Sequence, residues 1–524
     1  MSIKPVRTKR TKQGSFLSGA AALAVGGVFA KFLGMFFRVP IANILGDVGF
    51  GYYTLAYQWY SAFLSLSTIG LPLAVSKLVS ERASVGNYKG TSQVLSLATR
   101  LLASLGLIAS LAMLLGARAI TEKTISESYY SFLFLSPAPL AVALLSAYRG
   151  YLQGMQRMAP TSVSQIIEQA LRVAVGVGLA YWAMGNSSDV ALAAGLASSG
   201  ATAGAVAALA YMAVIAYSHN RQLPKEGLAA FSKEPNKGIY ATLLSIALPI
   251  AIGSLVTSSM GIINSVTVIN GLRSVGFSHD TASSLFGALD GKAQTLVNVP
   301  FVLGTSLSTS LVPAISAALA QGDRASASKM ASLALKLSLL ISLPASVGLS
   351  VLSEPIMALV FGAGSRASAP LLASLAYVTV FTVAMTALQG ILQGAGRMYE
   401  PIVNMTIGVS AKLFMNIILI KIPSINIYGA IASSIAASAI IFVLNLISTV
   451  KHVGIKGVLA PTAIAAVASA VMGVCALASF RLFERYIGEK LACIAAIPVA
   501  IAVYAAIVVL AKAVTIDELS SMRG

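Results

Sequence analysis

Carboxylates are scarce in this sequence: 17 aspartates and glutamates face 36 lysines and arginines, and charged side chains of both signs make up 10% of 524 residues. A water-soluble surface carries roughly a quarter to a third of charged residues, so a soluble globular fold is excluded. Cysteine and histidine are nearly absent too. Cys475 and Cys493 lie in apolar runs, and His219, His279 and His452 are scattered. This leaves no disulfide framework and no ligand spacing for a metal. Period-two alternation is also missing, which argues against a transmembrane barrel. No phosphate loop of the GxxxxGK[ST] type, nucleophile elbow or clustered acid pair occurs, so catalysis and nucleotide hydrolysis have no basis in the sequence, and no cofactor is expected.

What the chain does have is apolar length: 57% of its residues are hydrophobic and the mean hydropathy is +0.84. A helical span needs roughly 20 apolar residues, and dividing the runs at polar breaks predicts an all-α integral membrane protein of about 14 transmembrane helices. The opening "MSIKPVRTKRTK" is basic, and the apolar stretch behind it is too long for a cleavable leader, so it reads as the first span. The predicted order is a basic N-terminus (1–13), a six-span lobe (14–220), a linker (221–237), a second six-span lobe (238–450), two extra spans (457–513) and a tail (514–524). With the N-terminus in the cytoplasm, 21 lysines and arginines fall on that side and eight on the other, so both termini are expected on the cytoplasmic side of the cell membrane. The net charge of +19 is then explained by orientation and contact with anionic membrane lipids, with no call for nucleic acid.

An internal repeat organises the spans. In "YRGYLQGMQRMAP" and "LQGILQGAGRMYEP", Gly150, Gln153, Gly154, Arg157 and Met158 recur as Gly390, Gln393, Gly394, Arg397 and Met398, each 240 residues on. Such an offset marks a duplication. Six spans per copy give the two lobes one orientation, as in transporters whose halves are related by an axis along the membrane normal.

The phrases "KFLGMFFRVPIANILGDVGFGYY", "STIGLPLAVSKLVSER" and "YRGYLQGMQRMAPTSVSQIIEQALRV" resemble the stage V sporulation protein B and YtgP-like group of polysaccharide exporters. That group is related to the lipid II flippase MurJ within the MOP superfamily, which also holds the multidrug and toxin extruders. The resemblance covers nearly the whole chain. It implies two parallel six-helix lobes around a central cavity and two C-terminal helices that form a groove for a polyprenyl tail. It further implies translocation of an undecaprenyl-diphosphate-linked glycan or peptidoglycan precursor by alternating access. The chain departs from the lipid II branch near Gln58 and Trp59, where that branch carries an arginine, and at Phe37–Arg38, where it carries an acid.

A charge at mid-membrane depth costs about 2.5–3.5 kcal/mol on insertion scales, so cations inside spans are candidate sites. Lys31 and Arg38 share one face of the first span with Gly27 and Gly34, and Pro40 marks where that span is expected to bend. Lys292 and Lys412 are the candidates in the second lobe, and these four cations form the predicted anionic-headgroup site. Asn404, Asn416 and Gln165 are candidate sugar contacts. Arg172 is either a further cavity cation or, spaced one turn from Glu168, the partner of that acid in an internal ion pair. Arg100 and Lys336 read as interfacial. Arg157 and Arg397 of the repeated turns are candidate gating residues, and the turn glycines read as sites of close helix packing or of a tight turn. Two other functions stay open: an ion-coupled extruder of cationic drugs, against which the absence of an acid before Asp47 weighs, and a non-transporting scaffold of envelope synthesis. Energy would come from an ion gradient, with the ion unspecified.

Overall fold

The computed structural model describes residues 12–68, 70–222, 235–511 and 513, without the side chains of residues 12–32, 35, 36, 67, 303, 306, 307, 309, 310 and 313. Among the described residues no strand occurs. The helices are α1 (Lys12–Thr68), α2 (Leu71–Ser84), α3 (Tyr88–Glu122), α4 (Tyr129–Leu135), α5 (Ala138–Gly154), α6 (Ala159–Asn186), α7 (Val190–Arg221), α8 (Asn236–Ser274), α9 (His279–Phe286), α10 (Gln294–Ala320), α11 (Arg324–Val351), α12 (Ser353–Phe361), α13 (Ala369–Leu375), α14 (Val378–Gly394), α15 (Tyr399–Leu419), α16 (Ile427–His452), α17 (Leu459–Ile487) and α18 (Glu489–Leu510). A π-helical turn, Gly287–Ala293, joins α9 to α10. Among the described residues 11 helices are long and apolar enough to cross a membrane, or 12 if one bent pair makes a single span. The protein is a multi-span integral membrane protein. That count takes residues 37–84 as one stretch, which the hydropathy pattern divides.

The break in α1 falls at Gly46, with φ 65° and ψ −176°, and not at Pro40, which lies inside the helix. A proline removes one hydrogen bond and leaves the chain helical, whereas this φ/ψ is essentially open to glycine alone. The consequence is a sharp change of direction. The Arg38 guanidinium lies 5.2 Å from the Tyr57 ring centroid, although a straight helix would carry those two residues about 28 Å apart.

The chain forms two compact units. One comprises Met1–Phe37, Trp59–Arg118 and Tyr129–Ser254, and the other Arg38–Gln58, Ala119–Ser128 and Leu255–Gly524. The units therefore differ from the expected lobes of 14–220 and 238–450: residues 38–58 pack with the second unit, and the start of α8 packs with the first. The physical reason lies in the cores. Ile239, Leu243 and Ala247 of α8 are buried against Leu71, Val75, Leu145 and Met212. The second unit has one core of Leu311, Ile315, Leu335 and Leu388 and another of Met472, Phe480 and Ala496. Helix starts are fixed locally: Asp189 accepts from the Ala191 and Leu192 amides, and Asp323 from Ser326. Hydrogen bonds from Ser326 hold the Asp323 carboxyl below its ordinary value.

The duplication is visible in the element bounds. Tyr129–Leu135 and Ala138–Gly154 recur as Ala369–Leu375 and Val378–Gly394, every limit displaced by 240 residues. Of the two expected roles, close packing or a tight turn, Gly150 and Gly394 serve close packing. A Cβ on Gly150 would lie 2.6 Å from the Pro72 carbonyl oxygen, and one on Gly394 would lie 2.8 Å from that of Val312. Gly150→Val and Gly394→Val should each destabilise by about 1–3 kcal/mol, the usual cost of overpacking. In detergent thermal melts this lowers Tm by several degrees, whereas Gly178→Val, with nothing within 4 Å of its Cβ, leaves Tm unchanged. An unchanged melt for the first two would remove the packing explanation.

Candidate functional site

A polar cluster in the second unit starts from a contact between two backbones. A Cβ on Gly51 would sit 2.5 Å from the Ser283 carbonyl oxygen, and one on Gly287 would collide with the Asp47 carbonyl oxygen. With glycine at both positions, residues 38–58 of α1 lie directly on α9 and the π-helical turn. That wider turn aims two close neighbours in sequence, Asp290 and Lys292, at different partners.

Asp290 is 6% exposed. Its Oδ1 accepts from Gln58 Nε2 at 3.1 Å and from Asn264 Nδ2 at 2.9 Å. Its Oδ2 is buried with no hydrogen-bond partner. Lys292 is paired with Asp47, donates to Ser365 Oγ at 2.7 Å and lies 5.6 Å from the Phe361 ring centroid. Arg38 donates to Thr295 Oγ1 at 3.2 Å and rests over Tyr57, partly exposed. Lys412 is buried on α15, donates to the Met260 carbonyl at 3.3 Å and feels the Asp290 charge. One turn on, Asn416 donates to Asn264 Oδ1 at 3.2 Å and Thr267 Oγ1 at 2.8 Å and accepts from Ser433. Three cations thus meet two carboxylates, leaving the cluster formally at +1.

An apolar cavity of about 590 Å³ opens beside it, lined by Leu296 and Pro300 of α10, Pro344 and Gly348 of α11, Leu359 of α12 and Tyr504 of α18. Leu296 stands one turn from Lys292, and Leu359 precedes the Phe361 ring that faces its ammonium. Polar cluster and apolar cavity therefore share α10 and α12.

The other sequence candidates lie apart from this cluster. Asn404 donates to Asn445 Oδ1 at 2.8 Å. Gln165 belongs to the first unit, where its Oε1 is buried without a hydrogen-bond partner. Glu168 holds Arg172 at 3.3 Å, as the spacing suggests, and also Arg149 at 2.9 Å. Arg157 meets His219 Nδ1 at 3.2 Å, while Arg397 lies 3.8 Å from Glu400, which His452 reaches at 2.9 Å. Each repeated turn thus places its exposed arginine near the last turn of its copy's sixth span. Lys336, expected at an interface, is buried, because it faces the α11 core with Leu335 and Leu339. The Lys31 side chain lies outside the described residues.

With this geometry in hand, known proteins place the chain. A family described as "Polysaccharide biosynthesis protein" matches residues 16–319, and one described as MatE matches residues 291–418. The chain belongs to the polysaccharide biosynthesis protein family. Similar proteins include stage V sporulation protein B of Bacillus subtilis (strain 168), 27% identical over 84% of this chain and 85% of that protein, and the lipid II flippase MurJ of the same organism, 27% identical over 87% of both. A solved structure of the lipid II flippase MurJ in an inward closed conformation has the same fold, with a TM-score of 0.64 at 16% identity over 94% of this chain and 98% of that one.

Within this family fold, sequence reasoning found the cations and missed what holds them. Asp47, Gln58, Asn264 and Asp290 come from three separate stretches of chain, and only Asp290 carried a signal, as a rare carboxylate inside a span. The Lys292–Asp47 pair yields a direct test. Asp47→Asn leaves a buried ammonium without its counter-charge and should cost about 3 kcal/mol. The double variant Asp47→Asn/Lys292→Met should recover most of the lost Tm in detergent melts. Equal stability of the single variant and the wild type would show that the pair is not structural.

Proposed function

We propose that this protein is a flippase that moves a lipid-linked glycan or peptidoglycan precursor, carried on undecaprenyl diphosphate, across the cytoplasmic membrane by alternating access. The observation that carries this reading is the junction on α10 and α12 of an excess of positive charge with an apolar cavity. A polyprenyl diphosphate has that same division, an anionic head joined to a long apolar tail. Arg38, the partly exposed cation, meets the phosphate first, and its planar fork suits two phosphate oxygens. Lys412 supplies a second charge at close range. Lys292, held by Asp47 and Ser365, sets the position of the π-helical turn. Asn416, hydrogen-bonded to Asn264 one turn from Lys412, is the sugar contact beside these cations in this reading. Both termini then face the cytoplasm, following the lysine and arginine asymmetry. Kinship with a lipid II flippase supports the substrate class.

The MatE match over residues 291–418 raises a second reading, export of cationic drugs. A cluster with three cations against two carboxylates is a poor host for a cation, which favours the anionic lipid. The test is translocation in proteoliposomes. Arg38→Gln with Lys412→Gln should lower the rate for a labelled undecaprenyl-diphosphate oligosaccharide by at least about tenfold, the equivalent of one lost charge-assisted hydrogen bond. Gly348→Phe, which fills the cavity, should slow the long-tailed lipid while sparing a short-tailed analogue. Normal flipping by both variants, or transport of cations in place of the lipid, would defeat the reading.

A further inference from the structure

Asp290 is the buried ionisable group that the anion site leaves unexplained, since a carboxylate beside a phosphate site repels the phosphate. Its two oxygens differ. Oδ1 takes both amide donors, from Gln58 and Asn264, while Oδ2 is buried and takes none. Thr54 Oγ1 and Gln58 Oε1, one turn apart on α1, are likewise buried without a hydrogen-bond partner. A bare carboxylate oxygen in an apolar interior is costly, and a proton on that oxygen removes the cost without touching the two bonds at Oδ1. The charged groups facing Asp290 are Lys412 from α15 and Arg38 from α1. From α8 comes the neutral Asn264, while the Met260 carbonyl of that helix accepts from Lys412. On its own turn, Lys292 is engaged by Asp47.

The geometry points to Oδ2 of Asp290 as a proton-binding site that controls the affinity of the cation cluster for phosphate. The step is one proton transfer from solvent: an O–H bond forms at Oδ2, the carboxylate becomes a neutral acid, and no other bond changes. Three cations then face the single carboxylate of Asp47, and the cluster rises from +1 to +2. Two positive charges match a diphosphate diester, which carries one negative charge on each phosphate. A loaded site without net charge is the form that crosses the membrane interior at least cost. Deprotonation returns the negative charge beside Arg38 and Lys412 and weakens their hold on the lipid. By linkage, proton and lipid each strengthen the binding of the other. This inference rests on the anionic-lipid reading proposed above, and it names a proton as the coupled ion.

The test uses the full chain in lipid nanodiscs. The probe is undecaprenyl-diphosphate-linked N-acetylglucosamine, a diester of constant charge between about pH 5.5 and 8.5, so that any change in its affinity across that range reports on the protein. Wild-type affinity should rise about tenfold or more on acidification across that range, as expected for loss of one nearby like charge. Asp290→Asn keeps a carbonyl oxygen for both amide donors and imitates the neutral acid. It should bind tightly and equally at both ends of the range. Parallel titration of this variant and the wild type would overturn the proposal. A second measurement needs no lipid: acidification should produce a protonated-carboxyl band in the infrared difference spectrum of the wild type and of Asp290→Glu, but not of Asp290→Asn. Absence of the band from the wild type, or its persistence in Asp290→Asn, would equally overturn it. The expected band together with no probe binding by any form would sustain the proton site and refute the anionic-lipid reading.

Discussion

The contact of two backbones at Gly51 and Gly287 is the constraint on which the polar interior depends. Any side chain at either position would push residues 38–58 away from the π-helical turn and separate Gln58 from Asp290 and Asp47 from Lys292. The bend at Gly46 is the companion requirement, because it lets Arg38 and Tyr57, well separated along α1, meet. Two glycines for approach and one for direction assemble a cluster that no single helix contains. In a membrane, where helices gain little from apolar burial against each other, such close approach and the hydrogen bonds it allows are the main source of specific packing.

Charge is placed sparingly in this interior. Glu168 is shared by two arginines, Asp47 is committed to Lys292, and Asp290 sits between Arg38 and Lys412 without a donor on one oxygen. The Asp47 pair neutralises its lysine, Glu168 offsets one of its two arginines, and both arrangements hold helices in place. The third is incomplete, and the incompleteness makes it chemically responsive: a carboxyl with every lone pair satisfied resists protonation, while one with a bare oxygen accepts it at small structural cost. The polar cluster and the apolar cavity are joined through α10 and α12, so a change in charge at one is mechanically close to the other.

The sequence by itself determined the membrane class, the helical content and the duplication, because each depends on local composition or on direct repetition along the chain. The 240-residue offset of the "QGxxRM" turns reappears in the limits of α4, α5, α13 and α14 without slippage. The i, i+4 spacing of Glu168 and Arg172 made their pair one of two readings, and the pair forms because a helix fixes such neighbours by its own geometry. Buried cations could be picked out one by one from hydropathy, and Arg38, Lys292 and Lys412 do lie in one cluster.

Tertiary structure alone decided which of those cations have partners. Nothing in the spacing of Asp47 and Lys292, or of Gln58, Asn264 and Asp290, marks them as neighbours, because contacts between helices depend on where the chain turns and how closely backbones approach. It likewise moved the bend from Pro40 to Gly46, assigned residues 38–58 to the second unit and buried Lys336. A hydropathy pattern records what each residue costs in lipid. Whether that cost is met by a neighbouring acid or held open for a ligand is a property of three-dimensional proximity, which a linear pattern does not encode.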